Sequence, residues 1–93
     1  MRRAAKVDAN QAAIVGAMRA CGAKVQSLAA IGGGVPDLLV LHRGVLRLVE
    51  VKDGSRPASR RKLTPAQLEW HKDWPVQIVK DVEEAVALMA GRC

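Results

Sequence analysis

Three side chains of this sequence have the types and the spacing to act together: Asp37, Glu50 and Lys52, with twelve residues between the two acids and one between Glu50 and Lys52. Two carboxylates brought face to face can hold a divalent cation. Mg²⁺ takes one or two carboxylates and completes its shell with waters and phosphate oxygens. An ammonium beside such a pair can orient a water or stabilise negative charge as it develops.

The stretch from Gly32 to Lys52, GGGVPDLLVLHRGVLRLVEVK, predicts how the three meet. Its two apolar runs, Leu38–Leu41 and Val45–Val51, are rich in Val and Leu and too short for free-standing helices, so they read as strands. An Arg43-Gly44 turn between them closes a β-hairpin, because glycine supplies the positive φ that tight turns need. His42 then faces Val45, Leu41 faces Leu46, and Asp37 comes opposite Glu50, with Cβ atoms roughly 5 Å apart. Alternation adds Lys52 to the Glu50 face and sends Val49 and Val51 to the other. A slip of one residue would set Asp37 against Val51 and scatter the cluster. Opposed carboxylates repel and need a compensating charge. Lys52 alone would make the group a structural ion pair; a divalent cation would make it a metal site. The hairpin residues leave both open.

Pro36-Asp37, twelve residues, then Glu50-Val51-Lys52 fits P-D-(x)n-(D/E)-x-K and resembles the PD-(D/E)xK nuclease superfamily. The longer match, GGGVPDLLVLHRGVLRLVEVKDG followed by LTPAQLEWH, resembles the virus-type replication-repair nuclease (VRR-NUC) family in its small stand-alone phage or bacterial form. It runs from about Asp8 to Val79. The resemblance implies a restriction-endonuclease-like α/β core, a mixed sheet flanked by helices. It implies an Mg²⁺- or Mn²⁺-dependent deoxyribonuclease with Asp37, Glu50 and the Val51 carbonyl on the metal and Lys52 as a catalytic group. In that family a glutamine on the following helix, here Gln67, borders the site, and an acidic residue of the first helix often supports the metal. Asp8 is the only acid before the motif, and Gln11 also sits there, so either can contribute to the site. The resemblance also points to a homodimer that resolves branched DNA such as four-way (Holliday) junctions, whose two scissile strands are related by a two-fold axis.

Length, charge and cysteines agree with a small nucleic-acid enzyme. Ninety-three residues make one domain with a small core, built from Ala, Val, Leu, Ile and Met because the chain has two Trp, no Phe and no Tyr. A formal charge of +6 points to a polyanionic partner, although a solvated basic surface would give the same figure. Cys21 and Cys93 are too few for a disulfide framework and read as reduced thiols of a cytoplasmic protein, in a bacterium or a phage-infected host. No apolar run approaches the ~20 residues of a membrane span, and Met1-Arg2-Arg3 is followed by no signal-peptide core.

In order along the chain, residues 1–7 are expected to fray. Asp8 suits the N-cap of a helix over Ala9–Ala20, with Ile14, Met18, Cys21, Ala13 and Ala17 as its apolar stripe and Gly22 as its stop. Lys24–Leu28 reads as a short strand. Gly32-Gly33-Gly34 is either a flexible connector or a close approach of backbone to ligand, with Gly33 and Gly34 against a DNA phosphate. After Asp53-Gly54, the polar stretch to Lys62 reads as a mobile loop whose Arg56, Arg60, Arg61 and Lys62 suit phosphate contacts or a solvated charge run. Thr64, Pro65 and Gln67 open a helix to about Asp73 through a capping box, with Leu63 and Leu68 as its hydrophobic staple. Gln67, Trp70 and His71 share a face of that helix. Val76–Val79 reads as a strand parallel to Val45–Val51, joined by a right-handed crossover. Asp81 and Glu84 cap a last helix, Val82–Ala90, ended by Gly91. Trp70, Trp74 and the stripe Val82, Val86, Met89 are either a dimer surface or packing inside the monomer.

The order α-β-β-β-α-β-α fits the restriction-endonuclease-like core. A metal-dependent nuclease competes here with a non-catalytic nucleic-acid-binding module on the same fold and with a purely structural domain. A module without catalysis has no need of opposed carboxylates. A structural domain explains the hairpin but neither the cluster nor the charge.

Overall fold

The structure is a computed structural model and describes residues 8–89. Its elements are α1 (Gln11–Ala20), β1 (Lys24–Ser27), β2 (Leu38–His42), β3 (Val45–Val51), a 3₁₀ turn (Ala58–Arg60), α2 (Pro65–Asp73), β4 (Val76–Val79) and α3 (Val82–Leu88). The strands form one mixed sheet in the order β1-β2-β3-β4. β2 is antiparallel to both β1 and β3, and β4 is parallel to β3.

The hairpin has the register that its turn predicts, from His42↔Val45 to Leu38↔Val49. Arg43 and Gly44 both have positive φ, 51° and 77°. Two such residues in sequence make the tight turn whose twist matches that of the flanking strands. Across the parallel pair, Leu48 meets Val76 and Val51 meets Val79. A parallel pair needs a long crossover, and residues 52–75 with α2 supply it.

One face of the sheet carries the core. Leu38, Val40, Val49, Val51 and Val79 are buried there, in one cluster with Ile14 and Met18 of α1 and with Ala85 and Met89. His42 is buried too, its Nε2 3.1 Å from the Cys21 carbonyl. On the other face Leu41, Leu46 and Ile78 are exposed, as are Leu68 and Trp74 of α2 and its C-cap. Trp70 and Trp74 stack on each other, with ring centroids 4.5 Å apart.

Several local expectations change. Asp8 does not cap α1: the helix starts at Gln11 with Asn10 as N-cap and no side-chain cap bond. Asn10 spends its amide on tertiary structure, donating to the Lys52 carbonyl at 3.1 Å and the Lys80 carbonyl at 2.7 Å, so the start of α1 is tied to the ends of β3 and β4. Ala13 faces out, and β1 ends at Ser27. Cys21, read from the sequence as a reduced thiol, is buried and disulfide-bonded. Met89 lies in the core and Val86 packs against it, so of the α3 stripe only Val82 is exposed. The expected fraying of residues 1–7, the end of α3 at Ala90-Gly91 and Cys93 lie outside the described residues.

Candidate active site

The hairpin ladder stops at Leu38, one residue short of Asp37. Past that point the Asp37 side chain continues the contact: its Oδ2 accepts from the Val51 amide at 2.8 Å, while its own carbonyl accepts from Leu28 N at 2.7 Å. The acid is therefore held between β1 and β3. Glu50, next in register, is 2% exposed although it is charged by type. It points to the sheet face opposite the core, where the first turn of α2 covers it.

Gln67 makes that cover. Its Nε2 donates to Glu50 Oε2 at 2.9 Å, and its Oε1 accepts from the Lys52 ammonium at 3.0 Å. The capping box is present as well: the Thr64 amide donates to Gln67 Oε1 at 2.9 Å, and Thr64 Oγ1 accepts from Gln67 N at 3.1 Å. Capping and site contact, which look like alternatives in the sequence, coexist in one side chain. Lys52 Nζ is also 3.8 Å from Glu50 Oε2 and 3.5 Å from the Lys62 carbonyl, with only 12% of its side chain exposed.

These residues line a cleft of about 360 Å³ together with Asp8, Gly32, Gly33, Gly34 and Thr64. Burial first, and then the negative charge of Asp37, push the Glu50 carboxyl up to about 8, against the pull of Lys52. Glu50 Oε1 is buried without a hydrogen-bond partner. Burial also raises the Asp8 carboxyl; Lys52 opposes this and Asp37 adds to it. Asp8 thus belongs to the electrostatics of the cleft. Gln11 is buried on α1 but is not among the residues lining it. His71, one turn beyond Gln67, has its pKa lowered by burial and by Lys52, and its Nε2 is buried without a partner.

The three glycines differ. Gly33 (φ 67°) has open space where a Cβ would stand. Gly34 (φ 86°) does not: a Cβ there would overlap the Ala66 carbonyl and lie 3.0 Å from Gln67 N. Its close approach is to the start of α2, the turn that carries Gln67. The basic loop also has more order than its composition predicts. Arg60 N and Arg61 N close the 3₁₀ turn on Pro57 and Ala58, Arg61 Nε donates to the Arg56 carbonyl at 2.9 Å, and Arg56 lies 3.7 Å from Asp53 Oδ2. Arg56, Arg60 and Lys62 are exposed, and Arg61 is half-buried.

Thr64, Asn10 and the Lys62 carbonyl were not singled out as site groups by their sequence context. Only the S/T-x-x-Q spacing of Thr64 and Gln67 marks any of them, and it marks a helix start.

A mixed sheet whose central hairpin brings Pro-Asp and Glu-x-Lys to one cleft, with a helix closing over it, defines the PD-(D/E)xK class of nuclease cores. A solved structure described as a VRR_NUC domain is similar to this chain at 33% identity and a TM-score of 0.65, over 86% of this chain and 89% of that one. The chain belongs to the VRR-NUC family of nuclease domains. No protein-family model matches it, and no curated protein does.

Proposed function

We propose that this chain is a metal-dependent endonuclease that hydrolyses DNA phosphodiester bonds, with Mg²⁺ or Mn²⁺ held by Asp37, Glu50 and the Val51 carbonyl. The observation that carries this is Glu50: a buried carboxyl with an unpartnered oxygen, its charge opposed by Asp37. A cation is the complement it lacks. Among the described residues no three His, Cys, Asp or Glu side chains gather as a metal site, so the donors are two carboxylates and backbone oxygen. Such a set suits a hard cation that keeps several waters. The Val51 amide faces Asp37, and in an extended strand a residue's N–H and C=O point to the same side, so the Val51 carbonyl faces Asp37 too.

When bound, the ion would supply Lewis acidity and lower the pKa of a bound water. The chain supplies the rest. Lys52, held by Gln67, orients the attacking water or stabilises charge developing on the phosphate. Gln67 keeps Glu50 and Lys52 in fixed relation. Asp8, ahead of α1, adds negative charge at the cleft, the part the resemblance gives to an acid of the first helix. Arg56, Arg60, Arg61 and Lys62 hold backbone phosphates, and Gly33, with open space where a Cβ would stand, lets the strand approach.

The acting unit in this reading is a homodimer on branched DNA such as a four-way junction. Support comes from apolar side chains 40–64% exposed and available to a second copy, Leu41, Leu46 and Ile78 on the open sheet face and Leu68 and Trp74 on α2 and its C-cap. The same residues extend the role given to the Trp pair, while of the α3 stripe Met89 and Val86 belong to the core and Val82 stays exposed. The described residues form one sheet with its helices, which supports residues 1–93 as one nuclease domain. No helix among them is long and apolar enough to cross a membrane.

The test is cleavage of linear, nicked, flapped and four-way-junction DNA with Mg²⁺, Mn²⁺ or EDTA, beside light scattering with and without junction DNA. Metal-dependent paired cuts by a dimer are expected, with Asp37→Ala and Glu50→Ala losing metal binding and cleavage together. Undiminished cutting in EDTA overturns the metal site. A monomer that makes one cut per encounter overturns the dimer. DNA binding without cleavage of any substrate leaves a binding module.

A further inference from the structure

The capping box of α2 makes two bonds that differ in what they hold. One, Gln67 N to Thr64 Oγ1, joins backbone to hydroxyl and secures the helix start. The other, Thr64 N to Gln67 Oε1, ends on a side-chain oxygen that Lys52 also contacts. A backbone N–H and an ammonium can only donate, so the group between them must be the amide oxygen. The other end of that amide is then its NH₂, and it donates to Glu50 Oε2. Without such anchors an amide can turn over and exchange its two ends.

We infer that the Thr64 backbone N–H is a positioning group of the active site: by anchoring Gln67 Oε1 it decides that Lys52 meets an acceptor and Glu50 meets a donor. The inference rests on the nuclease reading of Lys52 and Glu50 and adds a residue to it. A flipped Gln67 would set its NH₂ against the Lys52 ammonium and its oxygen against the Glu50 carboxyl. Lys52 would lose the shortest hydrogen bond its ammonium makes. Gly34 serves the same turn, since only a residue without a Cβ lets that segment pass against Ala66.

Because one bond uses the hydroxyl and the other the backbone N–H, substitution separates them. Thr64→Ala removes the hydroxyl alone. Thr64→Pro removes the hydroxyl and the N–H, and Thr64 already has φ −70°, within the range proline fixes. Thr64→Ser restores both bonds. Two quantities are compared: kcat and KM on junction DNA with Mg²⁺, and the ¹⁵N NMR signal of the Lys52 ammonium in metal-free protein. Thr64→Ala should lose thermal stability and keep the Lys52 signal, and its kcat is the reference for the proline variant. Thr64→Pro should lose about tenfold or more in kcat relative to Thr64→Ala with KM unchanged, as removal of outer groups that orient a site typically does. Its Lys52 signal should broaden as the ammonium exchanges freely with water.

Equal kcat and equal Lys52 signals in the two variants would overturn the assignment. If Thr64→Pro is unfolded by circular dichroism, Gln67→Glu replaces it: a carboxylate keeps both acceptor contacts and cannot donate to Glu50. A loss of about 10²-fold in kcat supports the role, and wild-type kcat overturns it. A wild-type protein that cleaves nothing would sink the nuclease reading alone. The Lys52 signal then decides the positioning role by itself, kept in Thr64→Ala and lost in Thr64→Pro, or alike in both.

Discussion

Removing the titration of Glu50 should change how the stability of the metal-free protein depends on pH. The folded carboxyl titrates at about 8, against 4.5 ordinarily, because it is buried and faces Asp37. Below the ordinary value the folded and unfolded chains both hold the proton, and the contribution is fully present. Between the two values only the folded chain holds it, so the folded state binds more protons and stability falls as pH rises. The fall is about 1.4 kcal/mol for each pH unit, and across the whole interval it is on the order of 5 kcal/mol. At 2% exposure water screens little of this. A loss of that size rivals the total stability of a small domain, about 5–15 kcal/mol. Urea denaturation in EDTA at about pH 5, 7 and 9 would measure it on both sides of the folded value. The wild-type midpoint should fall steeply over this range, and that of Glu50→Gln much less, so that the variant is the more stable protein at the alkaline end. Mg²⁺ or Mn²⁺ should restore wild type there and leave Glu50→Gln unmoved, since a ligand that binds only the folded state stabilises it. Parallel pH curves for the two proteins would refute the strained-carboxyl account, and with it the main support for the metal site.

Lys52→Ala should keep Mn²⁺ affinity by calorimetry and lose roughly 10²–10³ in cleavage rate, the usual cost of one electrostatic donor; an unchanged rate would remove Lys52 from catalysis. Replacing Arg60 and Arg61 by Ala should weaken binding to all DNA sequences alike and reduce the slope of log K against log salt by roughly two. Sequence-selective losses at a constant slope would make the loop a base reader. Gly33→Ala and Gly34→Ala both force alanine into a left-handed conformation, at about 1–2 kcal/mol. Only Gly34→Ala also meets the Ala66 carbonyl, so it should melt at the lower temperature and lose cleavage by displacing Gln67. Matching melting curves would show that the approach of Gly34 to α2 is not needed.

The hairpin and the cluster at its open end were legible in the sequence because they rest on short-range rules. An Arg-Gly turn between two apolar runs sets the register, and register with strand alternation puts Asp37 and Glu50 together, with Lys52 on the same face. The start of α2 at Thr64-Pro65 and the parallel β4 were readable for the same reason: caps and connection lengths are local. Long-range geometry decided the rest. Asp8 has the composition of a cap, yet Asn10 takes that position because its amide can reach two carbonyls, those of Lys52 and Lys80, which no local pattern connects to it. Gly34 looks like one of three equivalent glycines until α2 is folded against it. Met89 reads as one of three stripe residues that suit a dimer surface or the monomer's own packing, and only the closing of the sheet and α1 over α3 puts it in the core. Gln67 is recognisable as a capping residue from Thr64, and the family resemblance sets it beside the site; that its one amide bridges Glu50 and Lys52 while it caps depends on where the crossover returns α2 to the sheet, a placement set by packing across the whole chain.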